Sequence, residues 1–108
     1  MIARIWHGYT TIENADAYET LLKEEVFVSI ESQLATGYRG IHLLRRTLGN
    51  EVEFTTIMWF TDMEAVKKFA GENYQIAHVP AKAQAILSRF DETSIHCEMR
   101  HFLEYGNQ

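Results

Sequence analysis

The chain has 108 residues, 46% of them hydrophobic and 23% charged, and a net charge of −5. That is enough for one domain spanning residues 1–108, which buries roughly 65% of the surface exposed by its unfolded chain. The acidic balance without a basic stripe excludes a nucleic-acid partner. No apolar run reaches the length of a membrane span, and the lone Cys97 excludes an internal disulfide, which suits a reducing, cytoplasmic setting.

Ile2 to Tyr9 reads as the first strand, with Ala3, Ile5, His7 and Tyr9 on one face and Ile2, Arg4 and Trp6 on the other. The opening Met1 to His7 is too short and interrupted for a signal peptide. Asn14 is the N-cap candidate for a helix from about Ala15 to Ser32. Ala15, Tyr18, Leu21, Leu22 and Ile30 form its apolar stripe, and Glu19 and Lys23 pair outside it. Tyr38 to Leu48 and Glu51 to Phe60 are the next two strands, joined by Gly49-Asn50, a two-residue hairpin turn. This register sets Arg46 opposite Glu53, Leu44 opposite Thr55, His42 opposite Ile57 and Gly40 opposite Trp59. Arg39, Arg45 and Arg46 read as a solvated strand edge.

Thr61 and Glu64 have the spacing of a capping box at the start of a second helix. Met63, Val66, Phe69 and Ala70 share its apolar face, and Gly71 ends it. Tyr74 to His78 forms a turn. Pro80 opens a short helix with Ala83, Ile86, Leu87 and Phe90 inward, and Ser94 to Tyr105 is the last strand. Gly106-Asn107-Gln108 reads as a loose tail. The fold class is therefore α+β. The order βαββαβ is ferredoxin-like: an antiparallel four-stranded sheet with helices on one face. Ile41, Leu43, Phe54, Met58 and Phe60 then remain for a second copy, so the expected state is a homodimer packed sheet to sheet as a dimeric α/β barrel.

The segments MIARIWHG, GYRGIHLLRR, FAGENY and HCEM, and the junction of Trp59, Glu64, Ala65 and Phe69, occur in an order that resembles the antibiotic biosynthesis monooxygenase (ABM) family of dimeric α+β barrels. The likeness spans nearly the whole chain. It implies a pocket between helices and sheet in each subunit, with Trp59 on the helix side. Members of that family include cofactor-independent oxygenases of aromatic phenols and quinols, haem-degrading proteins, and others that are neither. In the haem-degrading branch an asparagine on strand one, a tryptophan on helix two and an iron-ligating histidine after it matter. Those slots fall here on His7, Lys68 and His78, so only the histidine matches.

His7 and His42 are the catalytic candidates, because imidazole exchanges protons near neutrality. In the hairpin register His42 shares a face with Trp59. Tyr9, Tyr18, Trp59, Phe69 and His78 are the substrate-binding candidates, able to hold an aromatic molecule by stacking and apolar contact. Plainer readings stand beside these: His7 as a satisfied, partly buried histidine, Trp59 as core and His78 as a rim residue. No metal site is expected, since His96 and His101 fall on opposite faces of a strand and no zinc spacing occurs. No glycine-rich phosphate loop is present, and Cys97 on an alternating strand reads as an inert thiol. No cofactor is therefore expected, and no membrane partner. Three functions stay open: a cofactor-independent monooxygenase acting on a small aromatic or quinol with O₂, a haem-binding or haem-degrading protein using His78, and a non-catalytic dimer that binds a small ligand.

Overall fold

Its alternating apolar residues make β1 (Ile2–Thr11) an inner strand of an antiparallel sheet. The computed structural model describes residues 1–106; the tail expected at Asn107 and Gln108 lies outside them. A helix follows in three pieces: α1 (Ala15–Leu21), a π-helical turn (Leu22–Val26) and α2 (Phe27–Ser32). In the wide turn Phe27 N–H donates to the Leu22 carbonyl, five residues back. Glu19 and Lys23 pair at 2.6 Å.

β2 (Tyr38–Leu48) and β3 (Glu51–Phe60) have the expected bounds, and His42 faces Ile57 and Arg46 faces Glu53 as the hairpin turn requires. Gly49 takes φ 61°, which glycine adopts without strain. α3 (Met63–Ala70) corrects the expected cap. Thr61 N–H is bound to the Gly37 carbonyl at 2.9 Å, so the start of the helix passes to Asp62, whose carboxylate accepts from Ala65 N–H at 2.9 Å. An acidic cap also complements the positive end of the helix dipole. α4 (Ala81–Ile86) follows Pro80 and ends four residues before Phe90, which belongs to a strand.

The last strand is also shorter than expected. β4 (Arg89–Phe90) pairs with Gly8 and Tyr9, and β5 (Ile95–Glu98) pairs with Ile2 to Ile5. Met99 N–H still reaches the Met1 carbonyl at 2.9 Å, but there β1 has no further residue to pair with. The chain then leaves the sheet with Phe102, Leu103 and Tyr105 exposed. Strand order is β2-β3-β1-β4, with β5 also on β1, so two short strands fill the fourth position of a ferredoxin-like α+β sheet.

The helices cover the face that carries Arg4, Trp6, Val52, Phe54, Met58 and Phe60; Phe54 and Phe60 are fully buried. This corrects the expected allocation of faces. Phe54, Met58 and Phe60 are the protein's own core, and the uncovered face is that of Ile5, His7, Tyr9, His42, Ile57 and Trp59. The reason is energetic. Each large apolar side chain is worth roughly 1.5–3 kcal/mol when buried, and the covered face of β3 has the denser set. The other face contains Glu53, His42 and Arg46, which would be costly to bury without partners. Among the described residues no helix is long and apolar enough to cross a membrane.

Candidate functional site

Two separate hydrophobic clusters fill the space under the helices. One joins Tyr18, Leu21, Leu22, Phe54 and Leu87 at the hairpin end, and the other joins Ile2, Met58, Phe60 and Val66 under α3. Between them lies a cleft of about 220 Å³. Its floor is the sheet, with Arg4, Trp6, Ile41, Thr56 and Met58. Its roof is the interrupted helix, with Tyr18, Leu22, Phe27 and Ile30, and Phe69, His78 and Ala83 stand at its sides. The lining is mostly apolar and aromatic, as ligand clefts usually are.

Tyr18 packs edge-on against Phe54 at 4.9 Å between centroids, and burial pushes its phenol well above the ordinary range, so it stays neutral. Phe69 packs on Phe60 at 5.5 Å. The indole N–H of Trp6 donates to the Asp91 carbonyl at 2.7 Å. His78 Nε2 lies 3.1 Å from the Ala70 carbonyl. A carbonyl only accepts, so Nε2 donates and Nδ1 keeps a lone pair in the neutral ring.

Of the candidate residues named from the sequence, Tyr18, Phe69 and His78 line this cleft. His7, Tyr9, His42 and Trp59 are on the opposite face of the sheet, which corrects the expectation that they share the helix–sheet pocket. Strand alternation sends His7 one way and its neighbour Trp6 the other, so Trp6 is the strand-one residue that meets the cleft next to Arg4. On the open face these side chains form pairs. His7 Nδ1 lies 2.8 Å from the Asp91 carboxylate, Trp59 donates to His42 Nδ1 at 2.9 Å, and Tyr9 donates to Glu53 at 3.0 Å. Arg46 at 2.6 Å holds the Glu53 carboxyl below the usual range, with Tyr9 adding to it. Lys68 on α3 is exposed.

Arg4 and Trp6 are the β1 residues of the cleft, and the sequence did not single them out. The available signal was their alternation with Ile2 and Gly8 along one face of β1. Arg4 is 4% exposed, and its guanidinium binds the carbonyls of Tyr74 and Ile76 and lies 2.9 Å from His96 Nε2. Burial lowers the pKa of His96, and the Arg4 charge lowers it further, so the imidazole is the neutral acceptor in that contact. Among the described residues no group of three His, Cys, Asp or Glu side chains is placed to hold a metal ion.

Fold and cleft together define a ferredoxin-like α+β protein with an apolar ligand-sized cleft between its layers. No protein-family model matches the chain, and no curated protein matches it. Among solved structures it is similar to a mutant of MhuD, crystallised with two manganese protoporphyrin IX molecules bound per active site. The TM-score is 0.65 at 18% identity, covering 99% of this chain and 100% of that one. A likeness at this identity shows the fold.

Proposed function

We propose that the cleft binds a small oxidisable aromatic, a phenol or quinol, and that the chain oxygenates it with O₂ as a monooxygenase without a resident cofactor. The observation that carries this reading is the cleft itself, enclosed by aromatic and aliphatic side chains with His78 as its imidazole. The substrate loses a proton to Nδ1 of His78. The resulting organic anion supplies electrons to O₂, and a C–O bond forms at the activated carbon. Loss of the remaining C–H with cleavage of the O–O bond leaves a carbonyl and water, so R₂CH₂ and O₂ give R₂C=O and H₂O. Carbon loses four electrons and O₂ takes four, so no external reductant is needed. Tyr18, Trp6 and Phe69 supply the apolar contact that orients the rings and excludes water.

Oxygen uptake with a panel of naphthols and hydroquinones tests this. At least one should be consumed with O₂ in equal amounts, at a rate unchanged by EDTA. No uptake above the protein-free control, or loss of uptake on chelation, overturns the reading.

A second reading is favoured by the porphyrins held by the MhuD mutant: a haem protein with His78 as iron ligand. The residues present fit that group in part. Nδ1 of His78 keeps a lone pair that iron could take, while the helix position that would carry a catalytic tryptophan is the exposed Lys68.

The association state follows from the uncovered face. We infer a homodimer packed through the sheet face of Ile5, Leu44, Ile57, Trp59 and Ile95; Leu44 is 52% and Ile95 56% exposed in the single chain. The exposed Phe102, Leu103 and Tyr105 extend the same argument to the C-terminal arm. Sedimentation should show a wild-type dimer at micromolar concentration and a folded Leu44→Asp monomer. A stable wild-type monomer at that concentration rules the dimer out.

A further inference from the structure

We infer that the cleft ends in an anion subsite built on Arg4, and that its ligand is an aromatic molecule with a carboxylate or another anionic oxygen beside the rings; this rests on the reading of the cleft as an aromatic-binding site. The unusual feature is a buried cation with no counter-charge. Arg45 pairs with Asp16 and Glu19, Arg46 with Glu53 and Arg89 with Glu51. Arg4, at 4% exposure the most enclosed of the six arginines, forms no ion pair among the described residues. Its partners are two backbone carbonyls and a neutral imidazole. Burying a charge this way is costly unless something neutralises it.

Among the described residues nothing does so from the cleft side. Although the protein carries a net charge of −5, no Asp or Glu among them lines the cleft. The three contacts of Arg4 occupy both Nη1 hydrogens and one on Nη2, which leaves Nε–H and the second Nη2 hydrogen for an anionic oxygen. Hydroxyls stand nearby on the same sheet face. Thr56 is directly opposite Trp6 on β3, and Ser94 continues the β5 register to the other side of Trp6. Both line the cleft and both are buried. A ring system between Trp6, Phe27 and Phe69 would thus present an edge oxygen to Arg4, Thr56 and Ser94.

The test is calorimetric titration of the wild-type protein with 2-naphthoate, with its neutral isostere 2-naphthamide, and with 2-naphthol followed across its own ionisation as the phenolate arm. Naphthoate should bind roughly ten- to a hundredfold more tightly than naphthamide, the range expected for hydrogen bonds to a charged group. Arg4→Met should erase that preference and Arg4→Lys should retain part of it. Arg4 also ties β1 to the Tyr74–Ile76 backbone, so circular dichroism of each variant is recorded, and the wild-type comparison decides even where Arg4→Met does not fold. Naphthol tightening only on ionisation, with naphthoate no better than naphthamide, assigns the site to a phenolate or enolate. Equal affinity for charged and neutral forms throughout overturns the subsite and leaves the aromatic cleft standing. A preference that persists in folded Arg4→Met overturns the role of Arg4, and failure of all three to bind overturns subsite and cleft reading together. A clear anion preference with no oxygen uptake keeps the subsite and retires the oxygenase.

Discussion

Met58→Asp is expected to abolish the native fold rather than to separate two subunits. Met58 is 7% exposed and packs with Ile2, Phe60 and Val66 beneath α3. Removing the methionine side chain costs about 2–5 kcal/mol. Placing a carboxylate there without a partner adds several kcal/mol, against a total stability of about 5–15 kcal/mol for a domain of this size. Circular dichroism and urea titration should find the variant unfolded or nearly so, while Leu44→Asp on the opposite face remains folded. A folded, monomeric Met58→Asp protein would show that the sheet faces have been assigned the wrong way round.

His78→Ala is expected to lower the oxygenation rate by about 10²–10⁴-fold, the usual effect of removing a general base. The side chain is exposed at the rim, so the variant should fold normally. His78→Gln is the informative companion, since its amide can still donate to the Ala70 carbonyl but cannot serve as a base. Undiminished turnover in both variants would sink the assignment. The same pair separates the haem reading. One-to-one uptake of haem with a shifted Soret band, abolished in His78→Ala, would place iron ligation ahead of proton transfer.

Much of the sheet was legible because short-range chemistry determines it. Gly49-Asn50 permits only a tight turn, and a tight turn leaves one register for Tyr38–Leu48 against Glu51–Phe60. Which face the helices cover was less legible. β3 has apolar residues on both sides, and on β1 Arg4 interrupts the face of Ile2 and Trp6 while His7 interrupts that of Ala3, Ile5 and Tyr9. A guanidinium usually marks the wet side of a strand; here it marks the buried one. The allocation of His7, His42 and Trp59 to the cleft came from the family resemblance, which set Trp59 on the helix side, and from the register that puts His42 on its face. The residues on helices and loops, Tyr18, Phe69 and His78, were unaffected, because their position depends on helix phase rather than on sheet face. The early end of the last strand was hidden for another reason. Ser94 to Tyr105 alternates well enough, but a strand stops where its neighbour stops, and β1 begins at Ile2.

The π-helical turn has an arithmetic consequence. An α-helix returns to the same side every 3.6 residues, and Phe27 comes five residues after Leu22. The extra residue absorbed by the wide turn is what lets both side chains look down on the sheet. An unbroken α-helix of the same length, without the wide turn, would have everything from Phe27 to Ser32 swung by roughly a hundred degrees about its axis. Phe27 and Ile30 would leave the roof together. A chain one residue shorter between Leu22 and Val26 would instead close the turn to the ordinary four-residue spacing and keep both side chains over the sheet, so it is the wide turn that reconciles this length of chain with a roofed cleft.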